Sequence, residues 1–178
     1  MRLRMDQRSS RYRTTLLDAA VAAIAAMAVY TCIASGASQV DACKVVDPAS
    51  VNAAVSEWFG TPVKLQVSSA TGPRGGTCDF ATNNPKHIDF SIFYAPRANA
   101  SLYGFSQRTP EGMVAVSHLG DSALFRQSSD PTDRYKSEDL AILKGTAVLD
   151  FNIALDKELP FVPKEKLAEF ASKLVPKM

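Results

Sequence analysis

The sequence is poor in the residues on which most enzyme sites depend. Its 178 residues include two histidines, His87 and His118, and three cysteines, Cys32, Cys43 and Cys78. Neither histidine stands at a metal-ligand spacing from a cysteine or an acid. The cysteines are far apart and form no CxxC pair of the redox or zinc-binding kind. We therefore expect no metal site and no cofactor.

Two further motifs fall short of a catalytic pattern. Residues 71–76 are rich in glycine, but the Gly-Lys-Ser or Gly-Lys-Thr of a phosphate-binding loop does not follow. The stretch Gly120-Asp121-Ser122 is similar to the nucleophile block of GDS-type esterases. No histidine follows His118, so a Ser122 nucleophile would lack its base, and we interpret the stretch as a turn entering a strand. The sequence thus predicts no catalytic residues and a protein that is not an enzyme.

The folded part of the chain carries almost no net charge. Of 20 basic and 18 acidic side chains, five arginines and two aspartates lie in residues 1–37. That leaves 15 basic and 16 acidic side chains, interspersed, in residues 38–178, a net charge of −1. A nucleic-acid-binding domain carries a basic patch or stripe, so we expect no nucleic-acid partner.

Residues 1–37 have the layout of an export segment. An arginine-rich polar stretch precedes an apolar run over residues 16–33, and small residues follow at 34–38. This order is typical of a secretory signal peptide. An apolar run of about 18 residues lies between the length of a signal peptide and that of a spanning helix. We therefore predict a signal peptide or membrane anchor at 1–37, a linker at 38–42 and an extracytoplasmic domain at 43–178.

A third fate for the export segment is lipidation at Cys32. Lipoprotein signals have a small residue just before the cysteine and usually a leucine three positions before it. Here Val29, Tyr30 and Thr31 precede Cys32, and they fit that pattern poorly. In every case the arginines remain on the cytoplasmic side and the rest of the chain is translocated. The predicted location is the periplasm, the cell envelope or the medium, with possible anchoring in the inner membrane.

The other two cysteines form an even pair in the exported part. In an oxidising compartment, Cys43 and Cys78 are most simply a structural disulfide. Closing a loop of about 36 residues contributes on the order of 3–4 kcal/mol in the chain-entropy model.

The hydrophobic pattern predicts an α+β domain. Asp47-Pro48 is typical of a helix start and Gly60 of a helix end, with Trp58 as a core anchor. The predicted order is helix, three strands, helix, three strands, helix (α-β-β-β-α-β-β-β-α), with the helices on one face of an antiparallel sheet. After the first helix the elements are strands at 63–67, 77–81 and 88–94, a helix within 96–112, a strand at 123–126, a polar loop at 127–137, a hairpin over 140–155 that turns at Lys144-Gly145, and a closing helix from Pro163. The acids Glu138 and Asp139 are interpreted as solvated loop charges.

Several short features together resemble a known kind of domain. They are Cys43 before the first helix, Trp58-Phe59-Gly60 at its end, Cys78 in the second strand, Leu119-Gly120-Asp121-Ser122-Ala123 before a short strand, and the Lys144-Gly145 hairpin before a terminal helix. The pattern is similar to the small secreted or lipoprotein domains of bacterial envelopes, which include extracytoplasmic sensor-type modules. The resemblance covers nearly all of residues 43–178 and implies an envelope role, with no particular chemistry.

The functional hypothesis is a non-catalytic envelope module that binds a ligand or a protein partner. The alternatives are an extracytoplasmic hydrolase with a dispersed site and a structural or assembly component of the envelope. Contact with the membrane is expected only through an uncleaved N-terminal segment. Recognition loops are expected at 71–76, 96–112 and 127–137, because surface loops vary without disturbing a core.

Overall fold

The protein is known from a computed structural model, which describes residues 39–83, 86–105 and 108–178. The predicted export segment, including Cys32, lies outside these residues. The described part of the chain holds a seven-stranded antiparallel sheet with two α-helices. The predicted α+β class is therefore confirmed.

The sheet joins strands that are mostly neighbours in sequence. Its order is β1-β2-β3-β7-β6-β5-β4, and every adjacent pair is antiparallel. The helices are α1 (Pro48–Phe59) and α2 (Lys164–Ser172), and the strands are β1 (Gln66–Ala70), β2 (Gly76–Thr82), β3 (Ile88–Ala95), β4 (Val114–Ala115), β5 (Ser122–Ser128), β6 (Tyr135–Lys144) and β7 (Ala147–Asp156). Short 3₁₀ turns lie at Ala42–Lys44, Ala100–Tyr103 and Val175–Lys177.

The predicted element order is wrong in the middle of the chain. Where we predicted a helix within 96–112, the described residues of that segment form a 3₁₀ turn, Ala100–Tyr103, and no α-helix. Gly104 follows in the left-handed region with φ 81°, and it ends the turn as C-terminal glycines do. Leu102 is 79% exposed, so the turn presents no apolar stripe to a core. Four strands follow this turn, because β4 precedes the three that were predicted.

Local capping chemistry explains why α1 forms where it was predicted. The Asp47 carboxylate accepts hydrogen bonds from the backbone amides of Ala49 (3.3 Å) and Ser50 (3.1 Å). Pro48 occupies the first turn, and Gly60 caps the C-terminus with φ 67°. Each of these signals depends only on residues close to it in sequence, so both ends of the helix can be predicted without knowledge of the tertiary fold.

Both helices pack on the same face of the sheet. The Trp58 ring of α1 meets Phe90 of β3 and Phe170 of α2 edge to face, with centroids 5.9 and 5.7 Å apart. Phe170 also contacts Phe151 of β7 at 6.3 Å. Rings in this arrangement add about 0.5–1.5 kcal/mol per pair beyond their burial. Trp58 is thus a core anchor, and the prediction that the helices share one face is confirmed.

The β6–β7 hairpin turns one residue later than predicted. Lys144 pairs with Ala147, which leaves Gly145 and Thr146 as a two-residue loop. Gly145 has φ 60°, and glycine at the first loop position suits the turns that match strand twist.

The disulfide fastens the start of the domain to the sheet. Cys43 and Cys78 are bonded, with their Cα atoms 5.0 Å apart, as predicted. Just before this bond, Val40 pairs with Gly72 and Ala42 is fully buried. The disulfide indicates an oxidising, extracytoplasmic compartment.

Candidate functional site

A long connection crosses the face of the sheet that lies opposite the helices. Residues 96–113 join β3 to β4. Near the start of this segment, the Ala98 amide donates a hydrogen bond to the Thr146 carbonyl at 2.8 Å. Further along, the Tyr103 ring stacks on Phe93 of β3 with centroids 5.8 Å apart, and β4 then fixes the far end by pairing with β5. The segment is therefore held to the sheet at several points.

The segment and the sheet form the walls of a cleft of about 350 Å³. We call it the open-face cleft, and it is lined by Leu102, Tyr103, Gly104, Pro110, Met113, Leu124, Arg126, Asp139, Ala141 and Asp150. The crossing segment and β5 supply the apolar walls, and strands β5, β6 and β7 supply three charged side chains at the floor. Mostly apolar walls with a few convergent polar groups are typical of small-molecule sites, which occupy about 300–1,000 Å³.

Two of the three charged groups on the floor satisfy each other. Arg126, Asp139 and Asn152 stand side by side on β5, β6 and β7. The Arg126 guanidinium donates from Nε (2.9 Å) and Nη2 (2.6 Å) to Oδ2 of Asp139. The Asn152 amide donates to Oδ1 of the same carboxylate at 2.6 Å. Both oxygens of Asp139 are thus occupied, and its charge is balanced by Arg126.

Asp150 is the third charged group, and among the described residues no salt bridge balances its charge. It is partly buried and pairs across the sheet with Ala141, which lies two residues after Asp139 in β6 and on the same face. Within the described part of the chain, no residue donates a hydrogen bond to its carboxyl group. Burial first, and the Asp139 carboxylate second, raise the pKa of Asp150 to about 6, although Arg126 acts against them. Above that pH the cleft carries one uncompensated negative charge.

Tyr103 places an aromatic wall next to this carboxyl group. Burial and the nearby charge of Asp150 raise the pKa of the Tyr103 phenol above its ordinary value. The phenol therefore stays neutral at physiological pH and keeps its hydroxyl proton. A carboxylate, an aromatic ring and apolar walls together can hold a ligand that combines a positive charge with a hydrophobic part.

The esterase-like stretch lies outside this cleft, at the start of β5. Gly120 has φ 64°, and a Cβ atom there would collide with the backbone of β6. Oδ2 of Asp121 accepts a hydrogen bond from the Gly145 amide at 2.6 Å. Ser122 is the exposed first residue of β5. The stretch is thus a turn that enters a strand and ties it to the β6–β7 hairpin.

The two histidines stand apart from each other and from the cleft lining. Nδ1 of His87 lies 2.7 Å from Oδ1 of Asn83, and its ring stacks on Tyr135 at 4.3 Å. His118 is exposed in a left-handed turn with φ 62°. Among residues 39–83, 86–105 and 108–178, no group of three or more His, Cys, Asp or Glu side chains is placed to hold a metal ion.

The other two segments predicted as recognition loops, 71–76 and 127–137, lie outside the cleft lining. In the glycine turn at 71–76, Gly72 pairs with Val40, and a Cβ atom on Gly76 would collide with the Val40 carbonyl. Its glycines therefore allow the incoming chain to approach closely. The polar loop predicted at 127–137 is shorter, because β5 and β6 extend to leave only residues 129–134 between them.

The interpretation of Glu138 and Asp139 as solvated loop charges is wrong. Both lie in β6, Asp139 on the cleft floor and Glu138 fully buried on the helix face. Oε1 of Glu138 accepts hydrogen bonds from the Val162 amide (2.7 Å) and from Nε2 of Gln127 (3.4 Å). Oε2 has no partner among the described residues, and burial raises the pKa of Glu138 to about 7.

Sequence reasoning missed the four residues that define the cleft: Tyr103, Arg126, Asp139 and Asp150. The signal that could have found two of them is the alternation in the hairpin. From 139 to 143 and from 148 to 152, every second residue belongs to the face opposite the core, which places Asp139 and Asp150 on that face.

Comparison of the chain with models of known protein families, with curated proteins and with solved structures found no significant match. In the described part of the chain, neither helix has the length and apolar character needed to cross a membrane.

Proposed function

We propose that this protein is an exported, envelope-associated binding module and that the open-face cleft is its ligand site. One observation carries the proposal: Asp150 is a partly buried carboxyl group in a cleft of ligand size, and no described residue donates a hydrogen bond to it. Burial of a charge is costly unless hydrogen bonds compensate it, so a partly buried carboxyl group with a raised pKa in a cleft is a candidate ligand-binding group.

The location in the envelope has separate support. A structural disulfide persists in oxidising compartments. The basic, apolar and small-residue order of residues 1–37 is typical of export. The resemblance of residues 43–178 to small domains of bacterial envelopes points the same way. Anchoring by an uncleaved segment, or release after cleavage, is compatible with each of these observations.

The cleft favours ligand binding over catalysis, because two of its three charged side chains, Arg126 and Asp139, already pair with each other. Asp139 is fixed by Arg126 and Asn152, which leaves Asp150 as the polar group that faces a ligand. A hydrolase would need a nucleophile or an activated water beside a base. Ser122, the candidate nucleophile considered from the sequence, begins β5 outside the cleft lining, and His118 lies in the turn before it.

Filling the cleft tests the proposal. Ala141 lies on the cleft floor, so Ala141→Trp should occupy it. Ala154→Trp is the matched control, because Ala154 lies on the same face of the sheet in β7, outside the cleft lining. Protein purified from the extracytoplasmic fraction of expressing cells would be freed of unbound solutes by gel filtration, and the retained small molecules identified by mass spectrometry.

We expect wild type and Ala154→Trp to retain the same small molecule and Ala141→Trp to lose it. Retention by all three proteins, or by none, would overturn the assignment of the site. Conversion of the retained compound to a product by wild type, but not by Ala141→Trp, would support the hydrolase alternative. Loss of envelope integrity in Ala154→Trp as well as Ala141→Trp cells, without any retained ligand, would support a structural role.

A further inference from the structure

We propose that the open-face cleft selects a small organic cation, namely a primary amine attached to a compact apolar group. This inference rests on the proposed function, since it names the ligand class of the same site. It follows from the charges on the floor, the aromatic wall and the exposed apolar rim.

The net charge of the cleft floor predicts the sign of the ligand's charge. Arg126 and Asp139 neutralise each other through two hydrogen bonds. Asp150 remains, so the cleft has a net charge of −1 when this group is ionised. Because Asp139 already neutralises Arg126, an anionic ligand would place a further negative charge beside the partly buried Asp150 carboxylate. A cation would instead offset the charge of that carboxylate.

The immediate surroundings of Asp150 suit an ammonium group. A primary ammonium offers three donors, and the Asp150 carboxylate accepts none from the described chain. Charge-assisted hydrogen bonds of this kind are short and about twice as strong as neutral ones. Tyr103, which stacks on Phe93, also lines the cleft, and an aromatic side chain there can attract a cation.

The rim of the cleft supplies the site for the apolar part. Leu102, in the crossing segment, is 79% exposed and lines the cleft. Met113 and Leu124 lie in the walls beside it. A ligand bound to Asp150 would cover this apolar surface, and each buried methylene contributes about 0.8 kcal/mol. A volume of about 350 Å³ limits the apolar part to about one ring and a short chain.

The test uses three probes that share one skeleton and differ in charge. Phenethylamine is the cation, 2-phenylethanol the neutral analogue and 3-phenylpropanoate the anion. Each would be titrated calorimetrically into the oxidised full protein at about pH 8, where Asp150 is ionised. We expect the amine to bind at least about tenfold tighter than the alcohol, and the carboxylate to bind most weakly.

Variants assign the preference to one carboxyl group. Asp150→Asn keeps the shape of the side chain and removes the charge, so the amine should lose at least about tenfold in affinity while the alcohol changes less than about threefold. Asp89→Asn is the matched control, because Asp89 lies on the same face of the sheet in β3, outside the cleft lining. It should leave all three affinities unchanged.

The pH profile gives a second readout on the same variants. The groups that face Asp150 are Asp139 and Arg126 on the neighbouring strands and Tyr103 in the crossing segment. The pKa of Tyr103 is raised above its ordinary value, so its phenol stays neutral between about pH 5 and pH 8. Amine affinity should therefore fall as the pH drops below about 6, and this decrease should be absent in Asp150→Asn.

The possible outcomes separate the two proposals. If the alcohol or the carboxylate binds as tightly as the amine, and Ala141→Trp abolishes that binding, the cleft is a ligand site and the cation inference is wrong. If none of the three probes binds while wild type still retains a natural ligand that Ala141→Trp loses, the inference about ligand class is again refuted and the site stands. If no probe binds and no ligand is retained, both proposals fail.

Discussion

Replacing Glu138 with glutamine should stabilise the protein in a way that depends on pH. Glu138 is fully buried, with 0% of its surface accessible to solvent. One of its carboxyl oxygens has no hydrogen-bond partner among the described residues. The buried Lys136 ammonium lies on the same face of β6, but it donates to the Leu159 carbonyl and lies over the Phe161 ring at 4.3 Å. Burial therefore dominates, and it raises the pKa of Glu138 from 4.5 to about 7.

The sign of the effect follows from proton linkage. Between these two pKa values the folded state holds a proton that the unfolded state has released. The stability contributed by the protonated form is complete below pH 4.5 and is lost as the pH rises toward about 7. A difference of about 2.5 in pKa corresponds to about 3 kcal/mol. Glutamine does not titrate, so Glu138→Gln should avoid this loss.

The assay is urea denaturation of wild type and Glu138→Gln at about pH 4 and about pH 8. The free energy of unfolding of the variant, relative to wild type, should increase by about 3 kcal/mol from the lower to the higher pH. Asp150 also has a raised pKa and destabilises the wild type in the same direction, but it is present in both proteins and cancels in the difference. An equal difference at the two pH values would refute the reasoning.

Three further predictions concern the disulfide, a turn and the topology. The double variant Cys43→Ser with Cys78→Ser should have a free energy of unfolding about 4 kcal/mol lower than the oxidised wild type, measured by denaturation. Equal denaturation midpoints for the two proteins would contradict the structural role of the disulfide. Gly120→Ala should lower the free energy of unfolding by at least about 2 kcal/mol, because Gly120 has a left-handed backbone and the new Cβ atom would collide with the Leu143 carbonyl. Gly60→Ala is the control, since Gly60 also has a left-handed backbone but its Cβ atom would meet no atom within 4 Å. Equal melting temperatures for the two variants would show that the collision is relieved. Alkaline phosphatase fused after residue 45 should be active, and a cytoplasmic reporter at that point silent; the reverse pattern would end the export interpretation.

Local chemistry made part of this fold predictable. The helix α1 was found from Asp47, Pro48 and Gly60, because each cap depends only on residues close to it in sequence. The hairpin was found from alternation around Gly145, and the disulfide from the number of cysteines left after the export segment. Each of these inferences needs only short-range geometry or a count.

Features that depend on the sheet as a whole were not predictable in this way. The polar run Tyr135-Lys136-Ser137-Glu138-Asp139 was interpreted as a loop, yet pairing on both sides makes it a central strand. The buried Glu138 is tolerated because the backbone amide of Val162, which follows β7, covers it. The cleft combines residues from the crossing segment and three strands, and no single stretch of sequence contains more than a few of them.

The central claim is that Asp150 is the group in the open-face cleft that receives the ligand. The most direct measurement is the pKa of its side-chain carboxyl, followed by the ¹³C NMR shift as a function of pH in the oxidised protein, with and without saturating phenethylamine. Without the amine, burial and Asp139 should hold the pKa near about 6. Binding of the cation should lower it to about 5 or less, which corresponds to at least a tenfold preference for the ionised carboxyl. A pKa that the amine leaves unchanged, in protein shown calorimetrically to be saturated, would contradict the account.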